Sequence, residues 1–200
     1  WGLKVARGEA SSPDVAVLAA DGASKTDTVA AAAQEPEIEG EKTELTTHLA
    51  GTVVPLAEVK DATFASGALG DGTAVEPTEG KLLAPADGKI TVAFPTGHAY
   101  GMRTEDGLDL LMHIGMDTVE LDGKHFTPKV AKGDTVKRGD VLAEFDIPAI
   151  KDAGYVLVTP LVITNAKKLT TAVRDAQTPG ASVAAGDNLL QVGLKEKTSA

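Results

Sequence analysis

The sequence predicts an all-β domain, an antiparallel β-sandwich or barrel, preceded by a disordered acidic linker. Two observations carry this. From Leu49 onward, short apolar runs rich in Val, Ile and Thr alternate with Gly, Asp and Pro at the spacing of strands and turns. Before it, residues 8–47 are mostly Ala, Glu, Asp, Ser and Thr, and no aromatic stands between Trp1 and Phe64. Such a stretch buries too little apolar surface to offset its ordering entropy. Residues 1–48 are therefore assigned to the linker and 49–200 to the domain.

The strand-like runs are Gly51–Val54, Lys81–Ala84, Lys89–Phe94, Leu108–Ile114, Val141–Phe145, Tyr155–Val158, Leu161–Thr164 and Leu189–Val192. Gly70-Asp-Gly72, Asp87-Gly88, Asp106-Gly107 and Asp122-Gly123 punctuate them. Helical periodicity is weak outside Ala166–Asp175. An internal echo joins Val136-Lys-Arg-Gly-Asp-Val-Leu142 to Val183-Ala-Ala-Gly-Asp-Asn-Leu189. It reads as convergent turn chemistry or as a duplicated hybrid motif, with duplication preferred.

Charge and composition remove whole classes of function. The net charge is −10, and the first 50 residues, with 9 acidic and 4 basic side chains, hold half of it. No basic stripe exists for a phosphate backbone, so nucleic acid is not an expected partner. The absence of cysteine excludes disulfides, thiolate metal sites and thiol nucleophiles. No apolar run is long enough to span a bilayer and no charged-then-apolar signal opens the chain, so a soluble protein is expected. The lack of cysteine is compatible with a reducing cytoplasmic setting, which is the expected location. The 4 histidines are left as the candidate nucleophiles near neutral pH.

Two of them lie in Phe94-Pro-Thr-Gly-His-Ala-Tyr-Gly-Met-Arg-Thr-Glu-Asp-Gly-Leu-Asp-Leu-Leu-Met-His-Ile-Gly-Met-Asp117, a hairpin-like stretch. A Glu105-Asp106 loop sets His98 directly opposite His113 on one face. An Asp106-Gly107 loop makes them diagonal neighbours. Leu108, Leu110, Met112 and Ile114 form a core stripe on the other face, so both imidazoles point away from it, beside Phe94, Thr96 and Leu111. One neutral imidazole is a competent nucleophile toward phosphorus if its other ring nitrogen donates to a carbonyl. The second imidazole and the Thr96 hydroxyl are placed to donate to a phosphoryl group. Two histidines and Asp117 are equally a possible zinc set. His48, at the linker edge, and His125, in a loop, receive no role.

At these residues the chain resembles the enzyme IIA component of the glucose-type bacterial sugar phosphotransferase system. The matching pieces are Asp61-Ala-Thr-Phe-Ala65, Ala84-Pro-Ala-Asp-Gly-Lys-Ile90, Phe94-Pro-Thr-Gly-His-Ala99, Leu110-Leu-Met-His-Ile-Gly-Met-Asp-Thr-Val-Glu-Leu121, Lys132-Gly-Asp-Thr-Val-Lys137 and Thr159-Pro-Leu-Val-Ile-Thr-Asn165. The likeness spans about residues 50–193. It implies that His113 accepts a phosphoryl group from HPr and passes it to a cysteine of enzyme IIB during sugar uptake. It implies that His98 and Thr96 hydrogen-bond that group. It places Phe64, Phe94, Leu111 and Val119 in an apolar docking depression, with Asp61 and Asp117 at its rim.

No cofactor is expected, apart from adventitious zinc at His98 and His113. A zinc-binding, metallopeptidase-like β-domain using His98, His113 and Asp117 is the main rival, weakened because no downstream His-x-His follows. A lipoyl- or biotin-type carrier would need a lysine motif at a hairpin tip that the chain lacks. The start at Trp1 and the acidic linker point to fusion with a membrane permease IIC domain, which would tether the domain to the inner face of the cell membrane without inserting it.

Overall fold

The computed structural model describes residues 38–196. The linker reading of residues 1–37 lies outside them. The strands are β1 (Glu41–Thr46), β2 (Gly51–Val54), β3 (Asp71–Pro77), β4 (Lys81–Leu83), β5 (Gly88–Ala93), β6 (Ala99–Thr104), β7 (Asp109–His113), β8 (Phe126–Pro128), β9 (Thr135–Val136), β10 (Val141–Phe145), β11 (Thr159–Ile163), β12 (Thr170–Asp175), β13 (Ser182–Val183) and β14 (Asn188–Leu194). Among the described residues three short α-helices interrupt them, α1 (Ala62–Ala65), α2 (Ile147–Asp152) and α3 (Ala166–Leu169), with single 3-10 turns at Leu56–Glu58 and Thr118–Leu121. An eight-stranded antiparallel sheet runs in the order β13-β2-β3-β11-β7-β6-β5-β9, and two three-stranded sheets, β1-β14-β12 and β4-β10-β8, accompany it. The expected all-β sandwich is what forms.

The echo in the sequence is a structural repeat. β9 and β13 sit at opposite edges of the large sheet, and each is followed by the same turn. The Asp140 carboxylate accepts from the Lys137 amide as that of Asp187 accepts from Ala184, with Gly139 and Gly186 both left-handed. The Asp140 carbonyl accepts from Ala84 and the Asp187 carbonyl from Thr47. Where the halves meet, two reciprocal bonds join them: Thr46 amide to Pro85 carbonyl and Leu83 amide to His48 carbonyl. That reciprocity is the mark of a pseudo-twofold axis between duplicated hairpins.

Three expectations need correction. The ordered domain begins before residue 49, because β1 pairs along β14 from Glu41↔Leu194 to Thr46↔Asn188. The apolar Leu45 and Leu49, both fully buried, anchor a segment whose acidic residues stay on its exposed side. Ala166–Asp175 is not one helix. A single turn, α3, gives way at the β-branched pair Thr170-Thr171 to β12, which pairs with β14. Tyr155–Val158 lies outside any strand.

β3 escaped the sequence reading because its start, Asp71-Gly72, reads as a turn. Gly72 is instead a close-approach residue: a Cβ there would lie 2.0 Å from the Leu161 carbonyl oxygen. The core stripe is as expected, with Leu108, Leu110, Met112 and Ile114 all at most 2% exposed. Those side chains are what hold β7 flat against the interior, and hence aim its other face outward.

His48, which the sequence left at a linker edge, is fully buried at the axis. Its Nε2 lies 2.9 Å from the Thr159 carbonyl oxygen, so Nε2–H donates. Burial lowers its pKa from 6.5 to about 4 despite that bond. The unfolded ring takes a proton near pH 6.5 and the folded ring near 4, so the unfolded state binds more protons in between. Stability should therefore be full above pH 6.5 and fall toward pH 4, His48 contributing about 3 kcal/mol of the loss. Urea midpoints followed by circular dichroism at pH 7 and 4.5 check this. In His48→Gln the drop between the two should shrink.

Candidate active site

The hairpin of β6 and β7 pairs Ala99 with His113, Met102 with Leu110 and Arg103 with Asp109. Its loop holds three residues, Glu105 to Gly107, closed by the Thr104 amide on the Leu108 carbonyl and by Gly107 in the left-handed region. This register lies between the two considered from sequence. In a continuous strand it would put His98 opposite Ile114, facing the core, with the imidazoles on opposite faces. The Ile114 amide still donates to the His98 carbonyl at 2.7 Å, but regular strand geometry begins only at Ala99, so the His98 side chain does not follow that parity. Phe94–Ala99 forms a tight turn, with the Phe94 amide on the Ala99 carbonyl and the Gly97 amide on the Phe94 carbonyl. Gly97, at φ +71, reverses the backbone and rolls His98 toward His113. The ring centroids are 4.9 Å apart, edge to face at 73°.

Each ring has one nitrogen fixed. His113 Nδ1 lies 2.7 Å from the Gly115 carbonyl oxygen, which makes Nδ1 the donor and leaves a lone pair on Nε2. His98 Nδ1 lies 2.5 Å from the Thr96 hydroxyl. With that hydroxyl donating, Nε2 of His98 carries the proton and is a hydrogen-bond donor. Burial pushes the His113 pKa down, opposed by the Gly115 carbonyl and then by the charges of Asp61 and Asp117. His98 falls to about 4, through burial first and the neighbouring imidazole second. Both rings are neutral at pH 7, one a base and one a donor.

The surroundings divide into packing and exposure. Phe64 is buried and lies 5.8 Å from the His113 ring, packed with Leu111, Val162 and Met116 in a small satellite core. Asp61 holds it there: its carboxylate caps α1, accepting from the amides of Thr63 at 2.8 Å and Phe64 at 3.1 Å. Phe94 lies 5.2 Å from the His98 ring yet is 41% exposed. Beyond Gly115, Asp117 adopts a left-handed conformation at φ 58 and opens the turn Thr118–Leu121, on which Val119 is 51% exposed. Thr96, His98, His113, Phe64 and Phe94 are thus gathered into one patch. Leu111 neighbours His113 on its strand face, and Asp117 and Val119 stand on the following turn. His125 lies exposed in its loop.

Sequence reasoning missed Gly115, whose contribution is a backbone carbonyl, and Thr159, whose hydroxyl accepts from the Gly115 amide. It also missed Val92 and Val156, 42% and 39% exposed. Both read there as strand interior. Alternation along Lys89–Phe94 could have put Val92 on the outer face with Phe94.

A bare nucleophilic nitrogen, a neutral donor and a nearby hydroxyl suit transfer of an anionic group. The zinc reading gains no support. Among the described residues no three His, Asp or Glu side chains are grouped to hold a metal ion, and Nδ1 of each histidine is already engaged.

Comparison with known proteins agrees with this chemistry. The family described as phosphoenolpyruvate-dependent sugar phosphotransferase system, EIIA 1, matches residues 43–169. A β-glucoside-specific EIIBCA component of Halalkalibacterium halodurans is 49% identical over 154 residues, 76% of this chain and 24% of that protein. The glucose-specific EIIA component of the same organism is 43% identical over 130 residues, 65% of this chain and 75% of that one. The solved glucose permease IIA from Mycoplasma capricolum superposes with a TM-score of 0.68 at 34% identity, covering 76% of this chain and 96% of its own. The chain spans about a quarter or less of the length of the β-glucoside relatives it matches.

Imidazole titrations followed by NMR should place His98 near pH 4 and His113 below 6.5. Asp61→Asn keeps a capping side chain but removes one charge that favours the imidazolium, so the His113 midpoint should move lower still. A His113 midpoint above 6.5 would contradict the desolvated ring.

Proposed function

Since the chain belongs to the EIIA 1 family of the phosphoenolpyruvate-dependent sugar phosphotransferase system, whose members are histidine phosphotransferases, we propose that Nε2 of His113 is the phosphoryl acceptor. The observation that carries this is the Nδ1 bond to the Gly115 carbonyl, which leaves Nε2 bare beside a neutral donor. The Nε2 lone pair forms a bond to phosphorus as the bond from phosphorus to its donor atom on HPr breaks, and that atom keeps the electron pair. Nε2–H of His98 offsets the charge on the phosphoryl oxygens, and the Thr96 hydroxyl, its one proton given to Nδ1 of His98, keeps that ring in the donating tautomer. In the second transfer a cysteine thiolate of enzyme IIB bonds to phosphorus and the phosphorus–nitrogen bond breaks, its electrons returning to His113. The chain has no cysteine, so that thiol belongs to another domain.

Docking falls to the apolar side chains around the pair. Phe94, Val119, Val92 and Val156 are the large hydrophobic residues exposed among those described, Leu111 lies between half-buried, and Phe64 supports His113 from beneath. Asp61 and Asp117 at the rim suit a basic partner face, which speeds encounter and fixes orientation.

The chain works in sugar uptake beside IIB and IIC domains, fused to them as in the EIIBCA relatives. Among the described residues no helix is long and apolar enough to cross a membrane, so attachment to the cytoplasmic face would come through the fused permease.

Incubation with phosphoenolpyruvate, enzyme I and HPr should yield one acid-labile, base-stable phosphoryl group. His113→Ala should abolish it. His98→Gln should accept the group and pass it on poorly. Labelling of His113→Ala at the parental level would end the proposal. Val119→Asp should raise KM for phospho-HPr about tenfold with little change in melting temperature, because that side chain is 51% exposed.

A further inference from the structure

The carbonyl that fixes the His113 tautomer is itself held from the neighbouring strand. Gly115 sits at φ +69, with no room for a Cβ, which would lie 2.6 Å from the Val156 carbonyl oxygen. Its amide donates to the Thr159 hydroxyl at 3.2 Å, and that hydroxyl donates in turn to the Leu157 carbonyl at 2.7 Å. Thr159 is fully buried. Its own carbonyl accepts from His48 Nε2 at the pseudo-twofold axis. The next amide, that of Met116, bonds to the Val156 carbonyl at 2.9 Å, so both faces of the Gly115 turn are tied to the segment leading into β11.

We propose that Thr159 is a positioning residue for phosphoryl transfer: its hydroxyl holds the Gly115 amide on one side of that residue, and with the Met116 amide held by the Val156 carbonyl on the other this fixes the direction of the Gly115 carbonyl, which holds the proton on Nδ1 of His113. It touches no phosphoryl oxygen. His48 anchors the backbone of Thr159 and completes the path from the domain axis to the nucleophile. This rests on His113 as acceptor, but its main consequence, the tautomer of that ring, exists without any phosphoryl donor.

The test compares Thr159→Val, which keeps the shape and loses the hydroxyl, with Thr159→Ser, which keeps the hydroxyl. Imidazole nitrogen shifts report the His113 tautomer, and single-turnover transfer from phospho-HPr reports the rate. Thr159→Val should move both His113 nitrogen shifts toward the average of the two tautomers and slow transfer about tenfold. Thr159→Ser should restore both. Unchanged nitrogen shifts in a folded Thr159→Val overturn the proposal, as does a tautomer change equally large in Thr159→Ser. If the valine variant does not fold, the parent decides. The Thr159 hydroxyl proton must be visible, slow to exchange and close to the Gly115 amide proton, and its absence overturns the inference. Failure of the parent to accept phosphate would defeat the proposed function, while the nitrogen shifts would still decide the role of Thr159.

Discussion

The hydrogen bond from His113 Nδ1 to the Gly115 carbonyl is the constraint on which the chemistry depends. An imidazole free to exchange tautomers presents a lone pair at either nitrogen; one tied through Nδ1 presents it only at Nε2. The bond needs Gly115 in a left-handed turn immediately after β7, pressed so close to Val156 that a side chain would collide. It also needs β7 locked in register by its neighbours β6 and β11. The hydrophobic stripe of β7 thus does two things: it supplies core, and it fixes which way the His113 ring points.

The duplication gives the domain two similar halves but only one such site. By the strand registers, the positions equivalent to His98 and His113 are Asp71 and Val162. Val162 lies next to Leu111 across the β7–β11 pair and packs in the satellite core with Phe64. One half of the repeat therefore carries the histidines, and the other supplies the wall against which Phe64 and Leu111 rest.

Charge and burial are balanced in a similar way. An acidic protein repels phosphate, yet the two imidazoles of the site, His98 and His113, are neutral, held so by desolvation. A cationic pair so close would repel itself, and protonated His113 would have no lone pair to offer. The carboxylates of Asp61 and Asp117 act on His113 at longer range, restraining its loss of basicity rather than pairing with it. Asp61 also caps α1, so one side chain sets both the electrostatics and the position of Phe64.

The sequence by itself determined the fold class, the core stripe of β7 and the repeated Gly-Asp turn, and it singled out His98, His113 and Thr96 as candidates. Each is local: alternation, turn chemistry and residue type are written in neighbouring letters. The structure decided what depends on distant contacts. Charged letters hid β1, because its strand character comes from pairing with β14, at the far end of the domain. A glycine hid β3, because the need for it lies in the approach of Leu161. The facing of the two imidazoles follows from a turn that starts β6 one residue late, and not from strand parity. The carbonyl of Gly115 has no signature in sequence at all, since every residue carries one and only tertiary packing decides where it points.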